Sequence, residues 1–291
     1  MSTSIQFKVY IIGTFVLSWI LQILASIFAI NGNTMAFTVL TTITMFMPTV
    51  GALAARVSIK DMGIKPKLKG KLKYYLFAVL SPVILSVLGA LLYFAIFPQS
   101  FDPELTLITE QLKAQGVLED MLASGLTPMM FMLINSLQAI VLGPVLNGVL
   151  AIGEEIGWRG AMTPYLKEKY GKFYGRLVAG LIWGVWHWPL ILLAGYEYGY
   201  SYFGAPVLGL VTFCMFTTVM GCLLDFVYEK SGSIWAAAMM HGQINGFTTV
   251  MYLLKPDYQH MMIFGPLYIG IVSMVPSLLL ALYVMKKEEE L

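Results

Sequence analysis

Residues 74–97 read YYLFAVLSPVILSVLGALLYFAIF, 24 positions without one charged side chain. As a helix rising 1.5 Å per residue the run reaches about 36 Å, enough to cross the ~30 Å hydrocarbon layer of a bilayer. Seven further apolar stretches of comparable length lie near 7–30, 34–58, 129–153, 176–195, 205–228, 233–254 and 262–285, each bounded by charge, Gly or Pro. Backbone groups in lipid must pair within their own segment, and the period-two alternation of a membrane barrel is absent, so the spans are predicted to be helices. The first is too long for a signal peptide and lacks a small-residue cleavage site, so it reads as a retained span. Composition agrees: 58% of the 291 residues are apolar, 12% are charged, and the mean hydropathy is +0.76. A water-soluble globule carries about twice that charged fraction.

The expected architecture is therefore all-α, a polytopic membrane helical bundle of about eight transmembrane helices. It forms a single integral membrane domain over 1–291, with its polar motifs within about 129–254. With a cytoplasmic N-terminus, 16 of the 18 lysines and arginines fall on the cytoplasmic side, leaving only Lys113 and Lys255 outside. The positive-inside rule then puts both termini in the cytoplasm. The outer loop 98–128 holds an amphipathic stretch, Leu105 to Leu122, that reads as a surface-lying helix or a solvated connector. A net charge of +2 supplies no basic patch, so nucleic acid is not an expected partner. Cys214 and Cys222 share one apolar run and read as packed, inert thiols. Membrane lipids are the expected surroundings, most simply those of the cell (plasma) membrane.

Ionisable residues within a membrane are costly and point to function. Three motifs hold nearly all of them: Gly153-Glu154-Glu155-Ile156-Gly157-Trp158-Arg159, Trp183-Gly184-Val185-Trp186-His187-Trp188-Pro189, and His241-Gly242-Gln243-Ile244-Asn245-Gly246. Successive helical residues point about 100° apart, so Glu154 and Glu155 face different surroundings, while Glu155 and Arg159 lie one turn apart on one face. The expected division is an ion pair for Glu155 and Arg159, with Glu154 turned inward as a general base. His187 lies 11 residues past Arg176, roughly 16 Å inside the membrane boundary. Asn245 follows His241 by one turn, so imidazole and carboxamide can offer two donors to one oxygen. Trp183 lies one turn before His187 and walls a cavity or packs the core. His260 reads as solvated surface. Glycines four apart at 153/157, 180/184 and 242/246 allow close helix approach, and Pro144 and Pro189 are expected to kink their spans.

A carboxylate, two histidines and an amide meet the needs of acyl-bond hydrolysis by an activated water. Glu154, His187 and His241 are also a ligand set for a catalytic zinc, and spacing alone does not separate the two readings. Neither a helix-borne two-histidine zinc motif nor a G-x-S-x-G elbow is present. A third class, a non-catalytic membrane immunity or transport factor, shares the mid-membrane polar pocket but lacks the internal repeats of many transporters.

The order Glu-Glu-x-x-x-Arg (154–159), aromatic-x-x-x-His (183–187), His-x-x-x-Asn (241–245) on successive spans resembles the CPBP family of intramembrane proteases. That family comprises CAAX prenyl endopeptidases and bacteriocin-processing or immunity relatives. The resemblance implies an eight-helix fold and an intramembrane endopeptidase acting on a membrane-associated peptide or protein substrate, with a cavity reached from the cytoplasm. It implies that Glu154 activates water with help from His187, that His241 and Asn245 stabilise the oxyanion, and that Glu155 and Arg159 support the site. It further implies a glutamate mechanism with no metal cofactor, zinc being the alternative. Trp183 stands where the family commonly has Phe.

Overall fold

The computed structural model describes residues 3–60 and 62–289; the extreme termini, which the lysine and arginine count assigns to the cytoplasm, lie outside the described residues. The fold is all-α. Helices α1 (Thr3–Ile30), α2 (Thr34–Thr44), α3 (Met47–Ala54) and α4 (Leu72–Ile96) come first. Short helices α5 (Thr106–Ala114) and α6 (Leu118–Ala123) precede α7 (Pro128–Glu155), a π-helical stretch (Ile156–Met162) and α8 (Thr163–Tyr170). Then follow α9 (Lys172–Trp186), α10 (Trp188–Ala194), α11 (Val207–Ser231), α12 (Ile234–Gly246) and α13 (Val275–Glu289).

The helices are inside-out relative to those of a soluble protein. Helix α1 buries Tyr10, Thr14, Ser18, Gln22 and Ser26, and exposes Ile12, Val16, Ile20, Ile23 and Ile27. Helix α4 likewise buries Ser81, Ser86 and Gly89 while Leu80, Ile84 and Leu91 face outward. Such a surface is stable only against hydrocarbon, where apolar side chains need no burial and small or polar ones mediate helix contact. The chain is an integral membrane protein.

Among the described residues, six helical segments are long and apolar enough to cross a membrane: Thr3–Ile30, Thr34–Ala54, Leu72–Ile96, Pro128–Tyr170, Lys172–Ala194 and Val207–Ser231. The two other segments read as spans hold shorter helices. Residues 233–254 form the 13-residue α12 followed by a 3₁₀ turn at Thr249–Leu253, and 262–285 begin with turns around Gly265, Pro266 and Gly270 before α13. The fourth span also ends later than position 153. It continues through the π-helical stretch to Tyr170, so the two glutamates lie within a 43-residue helical run, not at its end.

Residues 105–122 are neither a free surface helix nor a solvated connector. Leu105, Ile108, Leu112 and Leu118 form a small core against Phe131, Met132, Tyr252 and Leu253. The buried Asp102 carboxylate starts this cap by accepting hydrogen bonds from the Glu104 and Thr106 amides. Periodicity alone does not show which partner an amphipathic face will meet.

The main core lies where α9, α11, α12 and the π-helical stretch converge on Trp158, Met220, Leu223, Ala236 and Met240, all fully buried. Two close approaches require glycine. A Cβ on Gly242 would meet the Gly148 backbone where α12 crosses α7, and a Cβ on Gly180 would meet Thr218 of α11. At the basic end, Arg176 is buried rather than exposed, bonded to Asp225, Glu229 and Glu288 and so tying α9 to α11 and α13. Both cysteines are buried free thiols, and His260 is exposed.

Gly180→Val is expected to force α9 and α11 apart and to cost about 1–3 kcal/mol. Thermal unfolding of the purified protein checks this: the variant should melt well below wild type, while the lipid-facing Leu91→Val should be nearly neutral.

Candidate active site

Two consecutive one-turn pairs divide the glutamates. Glu155, fully buried, takes the Arg159 Nε at 3.2 Å on one oxygen and the His241 Nδ1 at 2.7 Å on the other. Glu154 is also buried, but among the described residues no cation forms an ion pair with it: its Oε2 accepts from the indole N–H groups of Trp158 at 3.0 Å and Trp183 at 2.9 Å. The intervening π-helical turns carry Trp158 and Arg159; such irregular turns are frequent at functional sites. Arg159 also stacks over Trp183, 4.6 Å from its ring centre. One indole thus touches the base candidate with its N–H and the supporting cation with its face.

The histidines are held by their Nδ1 atoms. His187 ends α9, one residue before the Pro189 turn begins α10, and its Nδ1 lies 2.9 Å from the Trp183 carbonyl. A carbonyl only accepts, so Nδ1 carries the proton and Nε2 of the neutral ring keeps a lone pair. His241 donates from Nδ1 to the Glu155 carboxylate, the usual way in which a second residue fixes an imidazole's orientation. Its ring lies edge-on to Trp183, with centroids 5.3 Å apart.

Glu154, His187, His241 and Asn245 all line one cavity of about 230 Å³. Asn245 is exposed to it, at the end of α12. Trp183 walls the cavity as well as packing the core, whereas Glu155 and Arg159 are not among its lining residues. Three contributors escaped the sequence reading. Trp158 obeys the same four-residue spacing from Glu154 that identified Arg159 from Glu155, so that signal was present. Tyr196 stacks on His187 with the rings 8° from parallel, and the Tyr268 hydroxyl donates to the Ile244 carbonyl beside Asn245. Both tyrosines come from irregular segments in which no periodicity marks them.

The cavity also runs in an unexpected direction. From Glu154 and His241 it extends to Phe37 and Thr41 of α2, to Tyr196 and Glu197 after α10, and to Leu267–Ile269. These lie at the ends of the helices remote from Lys172, Lys230 and the Arg176 cluster. The cavity thus extends toward the helix ends opposite the basic cluster, whereas the family resemblance implies a site reached from the cytoplasm.

Among the described residues, no three His, Cys, Asp or Glu side chains are placed to hold a metal ion together. Glu154 already spends one oxygen on two indole donors. Glu154, His187 and His241 are thus not gathered as a ligand set in this arrangement.

Arg159→Met removes one of the two partners of a fully buried carboxylate. Breaking such a pair costs about 3–5 kcal/mol. Thermal melts of Arg159→Met, Glu155→Gln and the double variant check this, and the double variant should fall less than the sum of the singles.

Residues 135–247, which carry all three motifs, match the family model described as type II CAAX prenyl endopeptidase, Rce1-like. A stretch of 93 residues is 31% identical to CAAX prenyl protease 2 of Methanococcus maripaludis, covering 32% of this chain and 34% of that protein. The alignment thus spans about a third of the length of the relative. The resemblance read from three short motifs extends to a match across residues 135–247 with the type II CAAX prenyl endopeptidases.

Proposed function

We propose that the protein is an intramembrane endopeptidase of the glutamate type, cleaving a membrane-associated peptide or protein substrate in the cell membrane. The observation that carries this reading is the shared cavity: the Glu154 carboxylate, two Nδ1-anchored imidazoles and an exposed carboxamide line one volume of about 230 Å³. Glu154 takes a proton from the water as its oxygen attacks the carbonyl carbon. The lone pair on His187 Nε2 receives a hydrogen bond from the same water and holds it in line. The carbonyl electron pair moves to oxygen, where the Asn245 amide and the Nε2–H of an imidazolium His241, balanced by Glu155, donate to it. On collapse the C–N bond breaks and Glu154 returns its proton to the departing amine. Trp158 and Trp183 fix the orientation of the Glu154 carboxylate. The similarity to CAAX prenyl endopeptidases over the motif-bearing segment supports the endopeptidase part of this reading.

Purified protein in liposomes is the test. Glu154→Gln is expected to lower peptide cleavage at least about 100-fold, the typical value of a positioned general base. Asn245→Ala should lower it less than Glu154→Ala, because His241 still serves the oxyanion. Undiminished cleavage by Glu154→Gln would contradict the reading.

The zinc alternative separates on metal removal. Activity is expected to survive exhaustive chelation, with no stoichiometric metal in the purified protein by elemental analysis. Loss on chelation and recovery with zinc would instead favour a metal site formed by rearrangement of the same side chains.

A further inference from the structure

Glu197 lines the same cavity as Glu154 and has no part in the chemistry above. Its backbone is left-handed, φ +69°, on a residue that is not glycine. Such a conformation is disfavoured for a residue with a Cβ and persists where the surroundings enforce it, commonly at functional sites. The strain sets the carboxylate among aromatic side chains. Tyr196 and Tyr268 line the same cavity beside it. Tyr196 is also the ring stacked on His187, so Glu197 stands one side chain from a catalytic imidazole.

No lysine, arginine or histidine among the described residues forms an ion pair with Glu197. Glu155, Asp225 and Glu288, by contrast, each have cationic partners. Burial pushes the Glu197 carboxyl above the usual carboxylate range. A partly buried acid sharing a cavity with two tyrosines is a composition that binds ammonium and guanidinium groups, by charge pairing and by attraction to aromatic rings.

Resting on the endopeptidase reading, we infer that Glu197, with Tyr196 and Tyr268, forms a cation-binding subsite of the cavity that selects substrates carrying a positive charge close to the scissile bond. The charge comes from a lysine or arginine side chain or from a free amino terminus. Glu197 is a specificity-determining residue: it acts on which chain is bound rather than on the bond broken.

The test uses full-length protein in nanodiscs and a set of ten-residue alanine–leucine peptides, each with one lysine moved stepwise along the chain and with acetylated or free amino termini. Norleucine replaces lysine in the controls. Binding is read by fluorescence anisotropy on the Glu154→Gln background, where no turnover is needed. At one lysine position, or with the free terminus, binding should be at least about 10-fold tighter than for the norleucine control, and the difference should vanish in Glu154→Gln/Glu197→Gln. Glu197→Gly, which accepts the positive φ without strain, should lose the preference while keeping wild-type thermal stability, separating charge recognition from folding. Glu197→Lys should reverse the preference toward peptides with glutamate in place of lysine. Equal binding of lysine and norleucine peptides by the Glu154→Gln protein, or a preference that survives Glu197→Gly, would overturn the inference. Failure of wild type to cleave any peptide that the Glu154→Gln protein binds with this preference would count against the endopeptidase reading and leave the subsite standing.

Discussion

The site depends on one buried carboxylate being shared. Glu155 holds Arg159 with one oxygen and His241 with the other, which joins the π-helical stretch after α7 to α12 across the centre of the bundle. A lone charge there would cost several kcal/mol in a low-dielectric interior, so each partner is needed by the others. The consequence reaches beyond stability. With Glu155 committed in this way, Glu154 points to the cavity with no direct cationic partner and is held only by two indole N–H groups, which orient it without cancelling its charge. His241 is fixed by the same bond, and Asn245 follows it by one helical turn. Arg159 stacks on Trp183, so the paired glutamate and the free one are also coupled through a single aromatic ring.

Around this centre the bundle is arranged as lipid requires. Small and hydroxylated side chains face inward on α1 and α4, and leucine and isoleucine face outward. Glycines let α12 approach α7 and α9 approach α11 closely enough to bring the three motifs together. The break of α9 at His187, just before Pro189, turns the chain into α10 and the loop bearing Tyr196 and Glu197, and so forms the cavity's far wall. That wall lies at the helix ends away from the basic cluster.

Much of this was legible in the residues alone. Long uncharged runs imply membrane helices whatever the fold, and the four-residue spacing of Glu155 and Arg159 implies their contact because a helical turn has a fixed rise. The same spacing between Glu154 and Trp158 carried equal information, but a tryptophan in an apolar run is masked by its packing role. The extent of the spans was not legible, because hydropathy does not distinguish a helix crossing lipid from 3₁₀ turns buried against neighbours, as at Thr249–Leu253. Arg176 reads as a boundary charge from its place in the chain, yet it is buried because Asp225, 49 residues away, meets it. Glu197 offered no signal at all: its importance lies in a backbone angle and in tyrosines brought from distant segments.

The central claim is that Glu154 acts as a base on a water in a cavity shared by His187, His241 and Asn245. The most direct measurement is a comparison of protein amino termini in membranes of cells carrying either wild-type protein or Glu154→Gln at equal abundance. The account predicts a defined set of cleaved termini that is present with wild type and missing with the variant. Identical sets of termini from the two membranes would contradict it.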